Sequence, residues 1–244
     1  MALSRLQEQI AAMVAALPEA EGFVLAGGAA MAAHGLLDRT TRDLDFFGGP
    51  EDAAAVQQLA SAVERAAVSR GLQIQRDREG PTFVRLRISD QHEESELDLG
   101  IDYRALAPAQ TRYGPALDLR ELGANKVLAI FDRSEPRDFI DLAALTERFE
   151  LEDLIDLARQ KDPGLDLEVL DAFMARVHTL PRPDFDHDNR AHQQLLRTVD
   201  DWRTTINHLQ ERELANRRDA QPQQPRLRDR PIARMQLPTK RSTG

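Results

Sequence analysis

Two aspartates separated by one leucine, Asp43 and Asp45, are the side chains of this sequence best suited to metal-dependent chemistry. They lie in an alternating stretch at 43–47, bounded by a Gly-Gly-Pro turn at 48–50, which predicts a short β-strand. Successive side chains of a strand point to opposite faces, so both carboxylates share one face. Neighbouring carboxylates repel each other unless a cation lies between them, and Mg²⁺ prefers such oxygen ligands. The same spacing also occurs by chance on exposed strands.

A second acidic strand is predicted at 95–103, where apolar and polar side chains alternate. Asp98, Gly100 and Asp102 share its polar face. If this strand lies beside the first, Asp98 completes a cluster of three metal-binding carboxylates with Asp43 and Asp45, and the absent side chain at Gly100 leaves room for substrate. Asp102 is the competing third ligand. The alternative is an ordinary solvated edge of a sheet.

A glycine pair precedes the first aspartates and is a candidate phosphate site. The apolar run 23–26 predicts a strand, and Gly27 and Gly28 then lead into a short alanine-rich helix that begins near Ala29. Glycines let a phosphate approach the backbone, where helix N-terminal N–H groups are unpaired. We therefore assign nucleotide binding to Gly27, Gly28 and Ala29, although a purely structural turn has the same sequence pattern.

Lys126 is a cation within an apolar stripe, because Leu122 and Ile130 lie one helical turn before and after it. One interpretation is that the lysine extends along the apolar surface to reach solvent. The other is that it contacts a triphosphate and offsets its negative charge.

Asp138 and Asp141 lie three residues apart in a helix that Pro136 helps to start, so they share one face. Acidic groups in a first turn also favour the helix dipole, which is a complete structural explanation for them. The functional interpretation is that at least one belongs to the active site, with Arg137 orienting it or binding phosphate. Arg42, directly before the first aspartates, is a further nucleotide-binding candidate that could pair with them when no metal is bound.

The elements that must position these groups are mixed strands and helices in the first half of the chain and helices alone in the second. The predicted strands are 23–26, 43–47, 72–76, 82–89 and 95–103, and the predicted helices are 3–17, 29–35, 51–70, 119–133, 136–149, 151–160, 166–178 and 188–216. This order predicts an α+β protein with a small mixed sheet followed by a helical C-terminal region. We expect an α/β core at 1–114, a helical domain at 115–216 and a tail at 217–244 that is too polar to order.

Charge separates the tail from the rest of the chain. The net charge is −9, yet the eight Lys/Arg and two Asp of 217–244 give that segment +6, which leaves −15 on residues 1–216. The tail could attract RNA phosphates or have no role. The sequence contains no cysteine, which excludes disulfides and thiolate metal sites, and no apolar run long enough for a membrane. A cytoplasmic location is the expectation that remains.

The ordered combination of these pieces resembles a known family. The Gly27-Gly28 turn with the following Arg-x-x-Arg-Asp-Leu-Asp segment resembles motif I of the polymerase-beta-type minimal nucleotidyltransferases, and the segments 122–126 and 136–141 resemble later motifs of its AbiEii branch, the type IV toxin–antitoxin nucleotidyltransferases. The resemblance covers about residues 20–150. Many members of the superfamily have serine after the second glycine, where this chain has Ala29.

The resemblance implies a polymerase-beta-type core that transfers a nucleoside monophosphate from an NTP with two Mg²⁺ ions held by Asp43, Asp45 and Asp98. It further implies an RNA acceptor, since some relatives extend the 3′ end of tRNA and so block translation. A cognate antitoxin is the implied protein partner. Lys126 and either Asp138 or Asp141 would support phosphate or acceptor. Two alternatives stay open: transfer to a protein or small-molecule hydroxyl, and a non-catalytic module that binds another protein.

Overall fold

The computed structural model describes residues 3–37, 41, 43–185 and 188–220. These residues form one mixed sheet of seven strands in the order β3-β4-β5-β2-β1-β7-β6. The strands are β1 (Val24–Ala26), β2 (Asp43–Gly48), β3 (Gln73–Gly80), β4 (Phe83–Ser89), β5 (Glu94–Ile101), β6 (Ala109–Thr111) and β7 (Gly114–Ala116). β2 is parallel to β5 and antiparallel to β1.

Helices fill the rest of the described chain and dominate its C-terminal half. They are α1 (Arg5–Ala15), α2 (Gly27–Ala33), α3 (Ala55–Ser69), α4 (Leu119–Asp132), α5 (Pro136–Thr146), α6 (Leu151–Lys161), α7 (Leu167–Ala175) and α8 (Asn189–Ala220), with short 3₁₀ turns between some of them. The predicted α+β fold class, with a mixed sheet and a helical C-terminal region, is confirmed.

Alternation along the central strands builds the core beneath the site. Leu44 and Phe46 of β2 are buried, as are Leu97 and Leu99 of β5 and the β4 residues Val84, Leu86 and Ile88. Because neighbours along a strand point to opposite faces, the intervening polar residues of all three strands must share the other face. The apolar half of this pattern therefore orients Asp43 and Asp45 away from the core.

Local signals also begin the two helices that carry the later motifs. Asp118 accepts a hydrogen bond from the backbone N–H of Arg120 at 2.8 Å and so caps α4. Pro136 occupies the first turn of α5, where its missing N–H costs nothing. These local signals fix where the helices begin, with Lys126 in the second half of α4 and Asp138 in the first turn of α5.

The hairpin of β6 and β7 was not predicted from the sequence. Its strands have three residues each, too short for a visible alternation, and β7 is held by pairing with the distant β1. The sheet consequently extends to Ala116, two residues past the predicted core boundary at 114. The division into a core and a helical domain stays a prediction.

The end of the described chain also differs from the expectation. Helix α8 continues to Ala220, so residues 217–220, which we assigned to the tail, are helical. Arg217 and Arg218 lie in its last turn, where positive charge favours the helix dipole. The remainder of the predicted tail, 221–244, lies outside the described residues. Within the described part of the chain, every helix is too short or too polar to cross a lipid bilayer.

Candidate active site

Asp43 and Asp45 lie on the polar face of β2, at the floor of a cleft of about 300 Å³. Register places Asp98 of β5 directly beside Asp45, because the two residues are partners in the parallel β2–β5 pair. Such neighbours are about 5 Å apart between strands. The sheet therefore brings together the three predicted carboxylates, and Asp43, Asp45 and Asp98 all line the cleft.

Asp98 is held by an arginine that sequence analysis missed. Arg85 of β4 donates from Nε to Asp98 Oδ1 at 2.7 Å and from Nη2 to Asp98 Oδ2 at 2.6 Å. A two-point guanidinium–carboxylate contact is among the strongest hydrogen-bonded pairs in proteins. Alternation in 82–89 could have put Arg85 on the polar face, but its pairing opposite Asp98 depends on the β4–β5 register.

Asp45 is the carboxyl most disturbed by its surroundings. Burial in the cleft raises its pKa from 3.8 to about 7, and the carboxylates of Asp43 and Asp98 add to that rise. The cations Lys126 and Arg137 act in the opposite direction without cancelling it. A cation placed beside Asp45 would relieve this concentration of negative charge.

Gly27 makes the close approach of β1 to Asp45 possible. It has a left-handed φ of 59°, and a Cβ at this position would lie 2.0 Å from Asp45 Oδ2. Glycine is the residue that tolerates both conditions. Gly28 also lines the cleft, whereas Ala29 is buried in α2 and is absent from its lining. Of the three residues assigned to nucleotide binding at this turn, two therefore face the cleft.

Lys126 of α4 lies between two carboxylates of α5. Its Nζ lies 3.2 Å from Asp138 Oδ1 and 2.8 Å from Asp141 Oδ2, and its side chain is only 10% exposed. The lysine is buried, so it does not reach solvent along the apolar surface as one interpretation held. It lines the cleft together with Asp141.

Asp138 and Asp141 are both fully buried, although Asp138 lies in the first turn of α5. Burial disfavours the charge of Asp138, but hydrogen bonds from Arg133 and Lys126 hold its pKa below the usual value. Arg133 donates to both oxygens of Asp138, at 2.9 and 3.1 Å. Asp138 is therefore a support for two cations and does not itself line the cleft.

A wall of positive charge faces the carboxylates across the cleft. Lys126, Arg133 and Arg137 all line it, and Arg137 Nη1 lies 3.9 Å from Asp43 Oδ2. Arg137 also pairs through Nε with Glu135 at 2.9 Å. Arg42, the remaining nucleotide-binding candidate, lies outside the described residues.

Asp102 does not line the cleft. It follows the end of β5, where its Oδ2 accepts from Lys161 Nζ at 2.8 Å and from Asn125 Nδ2 at 3.3 Å. Lys161 is itself almost fully buried between Asp102 and Glu121. This geometry favours Asp98 over Asp102 as the third carboxylate of the site.

The space above Gly100 is not open to substrate, as the sequence analysis expected it to be. A Cβ there would lie 3.1 Å from Phe47 Cε1 and 3.3 Å from Phe83 Cδ2. The two rings have closed over the glycine from the neighbouring strands. The missing side chain makes room for aromatic packing, and the substrate space is the cleft beside it.

The donor set fits a divalent cation at Asp43 and Asp45. Both are hard oxygen donors. Burial and the neighbouring carboxylates of Asp43 and Asp98 raise the pKa of Asp45, and a cation beside it would stabilise its charged form. Within 3–37, 41, 43–185 and 188–220, no three His, Asp or Glu side chains converge closely enough to enclose a metal ion. Both oxygens of Asp98 accept hydrogen bonds from Arg85.

A family model described as "Nucleotidyl transferase AbiEii toxin, Type IV TA system" matches residues 10–237. No curated protein sequence matches the chain significantly.

Solved structures share the fold at low sequence identity. MenT4, a nucleotidyltransferase toxin from Mycobacterium tuberculosis H37Rv, has 17% identity and a TM-score of 0.56, over 80% of this chain and 81% of that one. JHP933 from Helicobacter pylori has 21% identity and a TM-score of 0.50, over 85% of this chain and 99% of that one.

Proposed function

Because the chain belongs to the AbiEii family of type IV toxin–antitoxin nucleotidyltransferases, we propose that it transfers a nucleoside monophosphate from an NTP to an RNA acceptor. The acceptor hydroxyl is at the 3′ end of tRNA, and pyrophosphate is the leaving group. Such a modification blocks translation, and a cognate antitoxin in the same cytoplasm neutralises the enzyme.

The observation that carries this proposal is the opposition of charge across one cleft. Asp43, Asp45 and Asp98 lie on the sheet, while Lys126 and Arg137 face them from α4 and α5. Phosphoryl transfer depends on positioning and on electrostatic stabilisation of charge spread over phosphate oxygens. Carboxylates that hold a cation on one side and cations that hold phosphate on the other meet both needs.

Asp43 and Asp45 would hold Mg²⁺, and Asp98 would join them where Arg85 releases one of its oxygens. When bound, Mg²⁺ lowers the pKa of the acceptor hydroxyl and offsets charge in the transition state. Mg²⁺ dependence and the number of ions belong to the proposal.

The chain's own cations would bind the triphosphate. Lys126 is a point charge held in position by Asp138 and Asp141. Arg137 lies on the same side of the cleft and approaches Asp43. Ala29 offers no hydroxyl and is buried. The lost serine contact is compensated by the side chains of α4 and α5, with Gly27 and Gly28 leaving the backbone open to a phosphate.

The test is a labelling assay with the purified full-length chain. Each α-³²P-labelled NTP is incubated with Mg²⁺ and with total tRNA, a protein extract or small aminoalcohols as separate acceptors. We expect label on tRNA that disappears in Asp45→Ala. Glu152→Ala is the matched acidic control, because Glu152 forms only a surface pair with Arg212 at 2.9 Å.

Each other outcome corresponds to an alternative. Label on protein or on an aminoalcohol would replace the RNA acceptor while keeping the reaction class. No label on any acceptor, together with growth inhibition that Asp45→Ala leaves unchanged, would instead identify a non-catalytic binding module.

A further inference from the structure

The polar face of the sheet continues beyond the carboxylates as ordered rows of side chains. Across β2, β5 and β4, one row consists of Asp45, Asp98 and Arg85, which are direct neighbours in register. The next row consists of Phe47, Gly100 and Phe83. The aromatic row therefore lies one pleat away from the charged row that forms the floor of the site.

The aromatic row forms a shelf, which we define as Phe47, Gly100 and Phe83 with Arg78. Both rings pack over Gly100, and the guanidinium of Arg78 lies 5.6 Å from the centre of the Phe83 ring. Phe47 lines the cleft, whereas Phe83 extends the apolar surface outward from it. Both rings are only half-buried, and Arg78 is exposed.

Strand order sets which substrate this shelf could meet. Asp45 lies on β2, with β1 and the Gly27 turn on one flank and β5 and β4 on the other. The cations Lys126 and Arg137, which are proposed to bind phosphate, belong to α4 and α5. The shelf extends from Phe47 of β2 across β5 and β4 to Arg78 of β3. In phosphoryl transfer the attacking and leaving oxygens are roughly in line across the phosphorus. With the leaving pyrophosphate at the Gly27 turn on the β1 flank, an acceptor in line with it approaches from the β5 and β4 side.

We propose that the shelf binds the terminal nucleobase of the RNA acceptor and so presents its 3′-hydroxyl to Asp45 and Asp98. The inference rests on the proposed transfer to RNA and adds the place where the acceptor binds. Aromatic and guanidinium planes both stack on bases, and such stacking tolerates any base because every base has a π face. Arg78 adds a positive charge next to the acceptor backbone.

The closing experiment measures acceptor binding without NTP, so that it does not depend on the transfer reaction. The probe is a short single-stranded RNA whose 3′-terminal base is 2-aminopurine, a fluorophore that stacking quenches. Full-length wild-type protein should quench and bind it. Phe83→Leu keeps apolar volume but removes the ring, and we expect binding weaker by about 5- to 150-fold, the range for loss of one base stack. Arg78→Gln, at an exposed position, should weaken binding in the same direction.

A matched control comes from the helical half. Arg176 lies 5.4 Å from the centre of the Phe173 ring, which is the same type of contact between two residues that do not line the cleft. Phe173→Leu should leave RNA binding within about twofold of wild type. Thermal melts of all variants establish that they are folded.

Three outcomes would overturn the inference. The first is that the wild-type protein does not bind the probe. The second is that Phe83→Leu and Arg78→Gln bind it as tightly as wild type does. The third is that Phe83→Leu loses affinity for NTP while its RNA binding persists. The last would assign the shelf to the NTP base. None of these depends on the labelling assay, in which absence of label on every acceptor is the separate result that would remove the proposed function.

Discussion

At the scale of single residues, Asp45 shows how the site concentrates negative charge. Its carboxyl is buried beside two others, and its pKa rises to about 7 as a result. An isolated aspartate on a surface strand would keep its ordinary value. The geometry therefore stores unfavourable charge at the place where a cation is proposed to bind.

Asp45→Asn should stabilise the metal-free protein at high pH. The folded-state pKa of about 7 exceeds the unfolded value of 3.8, so the folded state binds more protons between these values. Wild-type unfolding free energy consequently falls as pH rises through that window, and the variant lacks this loss. In EDTA, we expect a melting temperature higher by roughly 2–8 °C at about pH 8 and little difference at about pH 4. Parallel melting curves at all pH values would contradict this assignment.

Gly27→Ala should damage both stability and activity. The new methyl must adopt a left-handed φ of 59° and would overlap Asp45 Oδ2. We expect a loss of about 1–3 kcal/mol, from the strained backbone and the displaced carboxylate, and loss of transfer.

Gly35→Ala separates these two causes. Gly35 also has a left-handed φ, 71°, but a Cβ there meets nothing within 4 Å. It should show the backbone cost alone and retain transfer. Equal effects of the two substitutions in chemical denaturation and in the labelling assay would show that contact with Asp45 is unimportant.

At the scale of elements, α4 and α5 are joined by a buried ionic cluster. Lys126 of α4 lies against Asp138 and Asp141 of α5, and Arg133 at the end of α4 pairs with Asp138. Buried charges are tolerated when they are paired and hydrogen-bonded. The same contacts join the two helices and hold Lys126 and Arg133 where they line the cleft.

Lys126→Met should be strongly destabilising as well as inactive. It removes the ammonium shared by two carboxylates that solvent does not reach. We expect a loss of about 3–5 kcal/mol in chemical denaturation, typical of breaking a buried pair from one side. Arg212→Met is the control, because its pair with Glu152 is exposed, and it should cost no more than about 1 kcal/mol. A small loss in Lys126→Met would mean that the cluster does not hold α5 in place.

At the scale of the whole molecule, charge is distributed unevenly. Residues 1–216 carry a net charge of −15 and residues 217–244 carry +6. An acidic surface repels RNA at long range, so an RNA-directed enzyme of this composition needs local positive regions. The cleft cations supply one such region, and the C-terminal segment is the other candidate.

Deletion of 221–244 should weaken RNA binding without affecting the described fold. The segment contributes six Lys/Arg and one Asp, and the deletion leaves α8 intact. Binding should become less sensitive to salt, with a log–log slope reduced by up to about 4 if all six cations contact phosphate. Tight binding with an unchanged slope, measured by fluorescence anisotropy across a salt series, would leave the tail without a role in RNA binding.

The sequence by itself determined the parts of this protein that depend on local patterns. Alternation in 43–47 put Asp43 and Asp45 on one face, and helical periodicity located α4 and α5, because both patterns arise within a few residues. The ordered motifs also identified the family, which was confirmed.

Only the tertiary structure decided which side chains meet. The β2–β5 register placed Asp98 beside Asp45, and the β4–β5 register placed Arg85 on Asp98. The packing of α5 on α4 buries Lys126 between two aspartates. Asp102 pairs instead with Lys161 of α6 and does not line the cleft. Strand register and helix packing depend on contacts between segments far apart in the chain, and a local pattern contains no information about those partners.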